Sequence, residues 1–460
     1  MLVVGRCITQ RDNILLLLVF WELTSLSSFL LIGYWRHNPE ARQGARMALA
    51  ITGGGGLALI AGMLILGRMA GSFDLSDILT KREVIQASPL YLPALLLILL
   101  GAFTKSAQVP FHFWLPHAMA APTPVSAYLH SATMVKAGLF LLARLWPVLS
   151  GTEIWFVLVA GTGLLTMLFA AKVALFKDDL KAILAYSTIS HLGLITFLLG
   201  IGTKAAAVAA VVHIIAHASF KAALFMLAGI VDHAVHTRDI RRLGGLRRLM
   251  PVTYALAAIA SLSMAGVPPL NGFLSKEMML EVAAQTPLLD TGWVLALLAT
   301  GGALLSVGYS LRFLSHGFLG AARNDYPATP HDPGPGLWAA PAILVAFVVG
   351  MGLAPVALVG ALVDAAASAV TATTIHSHLA LWHGVQSPAL WMSVFAFGGG
   401  LILLSCYPAL RAAWELVLRP DGKALFDRGL AALVDMAARV TTRWHDGAVT
   451  RFIAIAVVTI

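Results

Sequence analysis

The sequence predicts an all-α, polytopic membrane helix bundle, and three observations support that fold class. Of the 460 residues, 59% are hydrophobic and only 12% are charged, whereas about a quarter of the residues of a soluble domain are charged. Eleven separate stretches are apolar over the roughly 20 residues that a transmembrane helix requires. The alternating pattern of an outer-membrane β-barrel is absent. These features exclude a water-soluble enzyme, a nucleic-acid binder and a disordered scaffold.

The apolar stretches follow one another closely enough to form a single membrane domain over residues 1–407. In chain order, they predict spans at 13–35, 47–67, 89–118, 124–145, 152–173, 181–201, 204–232, 251–282, 291–315, 337–358 and 386–407. No nucleotide-binding loop or flavin motif interrupts them, so the sequence predicts no cofactor. We also expect no nucleic-acid partner, because the basic residues lie in short loops between the spans.

Two further segments follow the last span. Segment 408–449 mixes large apolar residues such as Phe426 with basic residues such as Lys423, which is typical of helices that lie at a membrane surface. Residues 450–460 begin another apolar run, which predicts the start of a truncated further span.

The distribution of basic residues predicts the orientation of the spans. Counted over alternate loops, about twenty Lys and Arg fall on one side of the membrane and about six on the other. The richer side is expected to be cytoplasmic, and it comprises the loops 36–46, 172–181 and 233–250 and the segment 408–449. The run 359–385 contains no Lys or Arg, which predicts an external loop.

Five ionisable residues lie well inside the predicted spans, namely Glu22, Lys105, Lys136, Lys221 and Lys276. Each charged group at mid-bilayer costs about 2.5–3.5 kcal/mol even on the most lenient insertion scale. One acid with four bases cannot form a one-to-one network of static ion pairs. This ratio favours a functional role, although a buried structural ion pair remains the alternative for Glu22.

Two of these lysines lie next to predicted breaks in a membrane helix. Pro110 follows Lys105 closely, and Pro268 and Pro269 precede Lys276. Proline removes a backbone donor and disfavours helix at the residue before it. A pair of interrupted spans is typical of transporters built from inverted repeats, in which the freed backbone dipoles lie beside an ion site. The alternative for Lys105 is a simple kink with a side chain that extends to the interface.

Histidines and lysines also share one face of a predicted helix. His213, His217 and Lys221 stand at i, i+4 and i+8, so they lie above one another. Preceding spans add His130, Lys136 and Lys181. Because histidine titrates near neutral pH, such a row with intervening water can pass protons. The spacing of the two histidines also suits metal ligands, but no nearby carboxylate or thiol completes a site, so we predict no metal. For the single His191, the expected role is a satisfied core histidine.

Five segments resemble the large subunit of Mrp-type Na+/H+ antiporters, which is called MrpA, MnhA or PhaA. They are 20–35, similar to the glutamate helix of that subunit, and 104–138, 179–190, 213–221 and 272–276. The wider superfamily includes the antiporter-like subunits of respiratory complex I, whose glutamate helix typically differs around the acid. The resemblance therefore favours the Mrp branch. It ends near residue 410, and family members carry about four more helices upstream and a long extension downstream.

The resemblance implies a role for each charged position. Glu22 and Lys105 would form the ion pair of a first half-channel, and Lys276 would be the terminal lysine of a second. The central axis between them would contain His130, Lys136 and Lys181, with His213, His217 and Lys221 behind.

Three functional hypotheses follow from these observations. The first is a proton-translocating subunit of a hetero-oligomeric Mrp complex in the inner membrane of a bacterial cell, in contact with lipid. It would exchange protons for Na+, with K+ or Li+ as alternative cations, and would not be an enzyme. The second is a proton-pumping subunit of an NADH:quinone oxidoreductase. The third is a silent scaffold that retains its lysines for packing.

Overall fold

A computed structural model describes residues 12–287, 292–323, 325–382, 384–417 and 422–444, together with residue 457. Apart from two isolated bridges, Asn13 to Asp74 and Asp179 to Asp239, these described residues contain helices and loops and no β-strand. The predicted all-α, polytopic membrane fold is confirmed. The predicted truncated span at 450–460 lies outside the described residues except for residue 457.

Sixteen helices are labelled here in chain order, and short helical turns between them are left unlabelled. They are α1 Ile14–Ile32, α2 Pro39–Ala70, α3 Tyr91–Lys105, α4 Thr123–Ser131, α5 Ala137–Leu149, α6 Glu153–Leu175, α7 Leu180–Ile201, α8 Lys204–Val235, α9 Pro251–Ala265, α10 Asn271–Gln285, α11 Val294–Gly317, α12 Pro335–Leu353, α13 Ala361–Thr371, α14 Pro388–Ser405, α15 Tyr407–Leu416 and α16 Gly422–Trp444.

Nine helical stretches in the described part of the chain are long and apolar enough to cross a bilayer, and three shorter apolar helices accompany them. Burial distinguishes the centre of the bundle from its edge. In α7, 89% of the most apolar 18-residue window is buried, against 17% in α14. Since α7 packs against α6, α8 and α11, it is the central helix around which charged side chains can be enclosed.

Helix α2 begins earlier than the sequence analysis predicts. Asn38 accepts a hydrogen bond from the amide of Glu40, and Pro39 occupies the first helical turn. An Asn cap followed by proline is a strong helix start, and it was the overlooked signal. The predicted loop 36–46 is therefore wrong in its extent, because Arg42 and Arg46 lie in the first turns of α2.

The predicted external loop at 359–385 is also wrong in its first half. Helix α13 covers Ala361–Thr371 and packs against α5 and α8. The segment is rich in alanine, leucine and valine, so it forms an apolar helix that buries Val363 and Ala367. The lack of Lys and Arg reflects this packing and is not specific to a loop.

The first interrupted helix ends at Lys105, next to Pro110. Beyond it, Ala107 adopts a positive φ of 51°, and three short helical turns lead over 111–120 to α4. The indole of Trp114 donates to the carbonyl of Thr104 at 2.9 Å. Such bonds satisfy carbonyls that a broken helix leaves free, which allows the break to persist inside the bundle.

The second interrupted helix is split between α9 and α10. Gly266 closes α9 with φ at +89°, a conformation that L side chains rarely adopt, and Pro268 and Pro269 follow. Asn271 begins α10 and accepts a hydrogen bond from Ser263 at 2.7 Å. The two discontinuous helices that the sequence predicts are confirmed.

The chain divides into two units, residues 1–414 and 415–460. The second unit contains α16, whose described side chains are largely exposed, including Leu430, Leu433 and Val440. The site described below lies entirely in the first unit. The surface location of segment 408–449 remains a prediction.

Candidate functional site

The predicted lysines and histidines are all buried in the first unit. The eight side chains are Lys105, His130, Lys136, Lys181, His213, His217, Lys221 and Lys276. Since a buried ammonium loses several kcal/mol of hydration, it requires acceptors from the protein. The acceptors that the structure supplies differ from one lysine to the next.

Lys105 lies at the end of α3 and points to α1. Its Nζ donates to Oγ of Ser25 at 2.6 Å and to the carbonyl of Trp21 at 3.2 Å, and it lies 5.1 Å from the centre of the Trp21 ring. Glu22 is half-buried on the same helix, and its Oε1 accepts no hydrogen bond from the described residues. Glu22 and Lys105 therefore approach each other without a direct ion pair within 4.0 Å in the described structure.

His130 lies near the end of α4, and Lys136 lies in the short turn just before α5. Nζ of Lys136 donates to the carbonyl of Ile214 on α8 at 2.8 Å, and a cavity of about 620 Å³ borders the lysine. His130 is fully buried beside the ring of Phe225, and neither of its ring nitrogens has a hydrogen-bond partner among the described residues. This stretch of the row thus has fewer direct protein contacts than the part beyond it.

Lys221 is held between α8 and α7. It donates to Oγ of Ser187 in a short hydrogen bond and to the carbonyl of Leu184 at 3.3 Å. Ser187 and Leu184 stand one turn apart on α7, and His191 lies on the next turn of the same face. This face of α7 therefore meets the face of α8 that the sequence predicts to be functional.

The histidines form a compact cluster at this helix interface. Nδ1 of His191 and Nε2 of His213 lie 2.9 Å apart, and the two rings are stacked. Nδ1 of His213 lies 2.9 Å from Oγ of Ser275 on α10. The ring of His217 lies 5.3 Å from that of His191 between centroids.

Lys276 connects to this cluster through two hydroxyl groups. Its Nζ donates to the carbonyls of Met264 and Ala265 at 2.7 and 3.0 Å, and to Oγ of Ser306 at 2.7 Å. Ser306 donates to the hydroxyl oxygen of Tyr309 at 2.8 Å, and that oxygen lies 3.1 Å from Nε2 of His191. Unbroken hydrogen bonds therefore link Lys276 to His213.

The chemistry of this hydrogen-bonded series follows from the donors and acceptors of its members. When the neutral histidines are protonated on Nδ1, each group between Lys276 and Ser275 accepts a hydrogen bond from the neighbour nearer Lys276. It donates a hydrogen bond to the neighbour nearer Ser275. A proton released by Lys276 can then be passed through Ser306 and Tyr309 and reside on His191 or His213. A row of hydroxyl and imidazole groups in contact is suited to proton transfer without movement of the backbone.

Lys181 lies beside a charged cluster at the start of α7. Asp178 forms ion pairs with Arg312 and, at 3.2 Å, with Arg411, and Arg238 contacts Asp179 at 3.0 Å. In the nearby loop, hydrogen bonds from Arg241 hold the pKa of Asp239 below its usual value. The row therefore ends against a surface in which acids and arginines are closely paired.

Sequence reasoning missed several buried groups of the site. His191 is satisfied, as expected, but its partners His213 and Tyr309 belong to the row. The sequence signal for this role was the position of His191 four residues after Ser187, which places both on the same face of α7. Arg312 is buried in α11, and Glu277, the residue that follows Lys276 in the sequence, is also buried.

The spacing of His213 and His217 also allowed the alternative of a metal site. Among the residues that the structure describes, no group of three or more His, Cys, Asp or Glu side chains is arranged to hold a metal ion.

The fold and the site together define the class of protein. It is an all-helical membrane protein that has two interrupted helices and encloses a row of lysine and histidine side chains. Residues 11–306 match the family model described as NADH:quinone oxidoreductase/Mrp antiporter, TM. The chain belongs to this family.

Curated relatives are similar over nearly the whole chain. A protein of Rhizobium meliloti named as a probable K+/H+ antiporter subunit is 53% identical over 93% of this chain and 43% of its own length. An Na+/H+ antiporter subunit of Alkalihalophilus pseudofirmus is 40% identical over 98% of this chain and 59% of its own length. The chain thus spans about half the length of these relatives.

Two solved structures share the fold of this chain. A chain of the Mrp complex from Dietzia sp. DQ12-45-1b superposes with a TM-score of 0.89 and 37% identity, covering 98% of this chain and 49% of that one. A chain of an archaeal membrane-bound sulfane sulfur reductase has a TM-score of 0.72 at 24% identity, covers 80% of this chain and 74% of that one, and shares the fold.

Proposed function

We propose that this chain is the proton-translocating part of a multisubunit monovalent cation/proton antiporter of the Mrp type. Protons would move along the row that connects Glu22 and Lys105, through the central residues, with Lys276, in exchange for Na+ or K+. The partners would be other Mrp-type membrane subunits. The two relatives are named for different cations, so the exchanged cation is a matter for experiment.

The observation that carries this proposal is the hydrogen-bonded chain from Lys276 to His213. A scaffold requires buried cations to be neutralised or bonded, but it does not require two histidines, a tyrosine and a serine to be aligned donor to acceptor. The other predicted positions, Glu22, Lys105, His130, Lys136, Lys181, His217 and Lys221, are proposed to extend this path, with water between groups that are not in contact. Pro110, Pro268 and Pro269 are proposed to keep the helix breaks open beside it.

The proposed orientation places the loops 176–179 and 236–245 in the cytoplasm. These connections carry basic residues such as Lys177 and Arg242, and the positive-inside rule favours that side. Protons would then enter from outside, driven by the membrane potential, and leave on the cytoplasmic side. Cysteine labelling of the two loops in intact cells and in inverted vesicles tests this orientation.

The function is tested in inverted membrane vesicles that contain the complete, assembled antiporter. Glu22→Ala, Lys105→Ala and Lys276→Ala are each expected to abolish cation-dependent proton movement, because each removes a group on the path, while complex assembly is unchanged. An exposed basic residue away from the row, Arg36, provides the control Arg36→Ala. Full activity in all three variants would contradict the proposal. Proton movement driven by NADH, and not by a cation gradient, would favour the oxidoreductase alternative.

A further inference from the structure

Two consecutive glycines of α2 lie between the helix that carries Glu22 and the helix that carries Lys105. An added Cβ at Gly55 would lie 1.8 Å from Oγ1 of Thr104 on α3. An added Cβ at Gly56 would lie 1.7 Å from Oε1 of Glu22 on α1. Both distances are far below any van der Waals contact. At these two positions, α2 therefore approaches the neighbouring side chains so closely that any added Cβ must displace them.

Gly56 forms a seat for the whole carboxylate group. From the added Cβ, Cδ of Glu22 would lie at 2.7 Å and Oε2 at 3.2 Å. Oε1 is buried and accepts no hydrogen bond from the described residues. The position of this oxygen is thus set by the space that the glycine leaves, and not by a hydrogen-bond donor.

We propose that Gly56 is a positioning residue for Glu22, and that the pair Gly55 and Gly56 sets the separation between the carboxylate and Lys105. This inference rests on the proposed function and adds a determinant on a helix that carries none of the predicted charged groups. Because Oε1 is held by shape, this oxygen can move without first breaking a hydrogen bond. Its distance from the ammonium can therefore respond to a change of charge nearby.

The physical consequence differs between the two glycines. The carboxylate is the far end of a flexible side chain, so a methyl group at Gly56 displaces the carboxylate and leaves the helices in place. Thr104 is β-branched and stiff, so a methyl group at Gly55 forces α2 and α3 apart. Gly56→Ala is for this reason the informative variant.

The same helix offers a matched control. Gly53 and Gly54 have no atom within 4 Å of an added Cβ. Gly54→Ala makes the same chemical change, with the same gain in helix propensity of about 1 kcal/mol. Gly54 precedes Gly56 by two residues on α2 and does not contact the carboxylate. Any difference between Gly54→Ala and Gly56→Ala reports the contact with Glu22.

Antiport in inverted vesicles that contain the assembled complex is the first measurement. Since small misplacements of a reacting group can cost orders of magnitude in rate, Gly56→Ala is expected to lower antiport by about tenfold or more and to change the shape of its pH profile. Gly54→Ala is expected to keep both within about twofold of wild type. Equal behaviour of the two variants, at equal protein levels, would overturn the proposal.

Shortening the acid provides a rescue. Aspartate is one methylene shorter than glutamate, so it leaves room for the methyl group. Glu22→Asp should therefore cost less antiport in the Gly56→Ala background than in wild type, a coupling that a double-mutant cycle measures. Additive effects would show that the two positions do not interact and would overturn the proposal.

A chemical readout separates this inference from the proposed function. The carboxylate reagent dicyclohexylcarbodiimide, followed by mass spectrometry of the peptide that contains Glu22, reports the exposure of that group without any transport. Faster modification in Gly56→Ala than in Gly54→Ala would support the seat even if the vesicles showed no antiport. An equal rate of modification would overturn it even if antiport were confirmed.

Discussion

Lys105 and Lys276 both lie beside a break in a membrane helix, but the protein stabilises the two ammonium groups differently. Lys276 donates to two carbonyls at the end of α9 and to Ser306, so all three N–H donors of its ammonium group are used. Lys105 has two acceptors and an aromatic ring, and its neighbouring acid, Glu22, does not contact it directly.

This difference teaches how each break can work. The carbonyls at the C-terminal end of a helix carry a fixed partial negative charge. The negative charge that stabilises Lys276 therefore stays in place, and the group that moves at this break is the proton. At Lys105 the countercharge is a side chain beside a glycine seat, so the distance between acid and base can change. The first break is thus suited to electrostatic switching, and the second to proton transfer along a chain in contact.

Among the variants that test this difference between the two breaks, Tyr309→Phe is expected to reduce antiport most. It removes the hydroxyl group that joins Ser306 to His191 and leaves the ring in place, so the chain beside Lys276 is interrupted. We expect antiport in vesicles to fall about 100-fold, which is the lower end of what proton-transfer groups contribute. Tyr254→Phe, outside the row, is the control. Wild-type antiport in Tyr309→Phe would show that protons bypass this chain.

Ser25→Ala tests the first break and is expected to have an intermediate effect. Lys105 loses its acceptor at 2.6 Å, and an unsatisfied buried donor costs about 1–3 kcal/mol. The ammonium should then move to the carboxylate of Glu22 and form a closed ion pair, with antiport reduced about tenfold. The matched control is Ser27→Ala on the exposed side of α1. Antiport that is equal in both variants would mean that Ser25 does not hold the two charges apart.

Asp332→Ala is expected to have the smallest effect. Asp332 caps the start of α9 by accepting from the amides of Val252 and Thr253 at 2.8 and 3.0 Å. Loss of such a cap costs about 1 kcal/mol, which should lower the thermal unfolding midpoint by about one degree in a chain of this length. Antiport should change less than twofold, because the carbonyls that bind Lys276 lie at the other end of the helix. The exposed Asp325 supplies the control Asp325→Ala, and a loss of antiport as large as that of Tyr309→Phe would contradict this interpretation.

The two breaks also show how far the sequence predicts the site. Proline next to a buried lysine was enough to place both interruptions, because proline restricts the backbone locally. The face shared by His213, His217 and Lys221 followed from helical periodicity alone. The partners of these groups did not follow, since Ser306, Tyr309 and His191 are distant in sequence and ordinary in their local context.

By itself, the sequence determined the membrane class, the helical fold, the two interruptions and the types of group in the row. These properties depend on hydrophobicity, periodicity and backbone restriction, all of which act over short stretches of chain. The tertiary structure decided that Lys276 is joined to His191 through two hydroxyl groups and that Glu22 lies over Gly56. Both arrangements depend on how closely separate helices approach one another, and that distance is set by packing over the whole bundle.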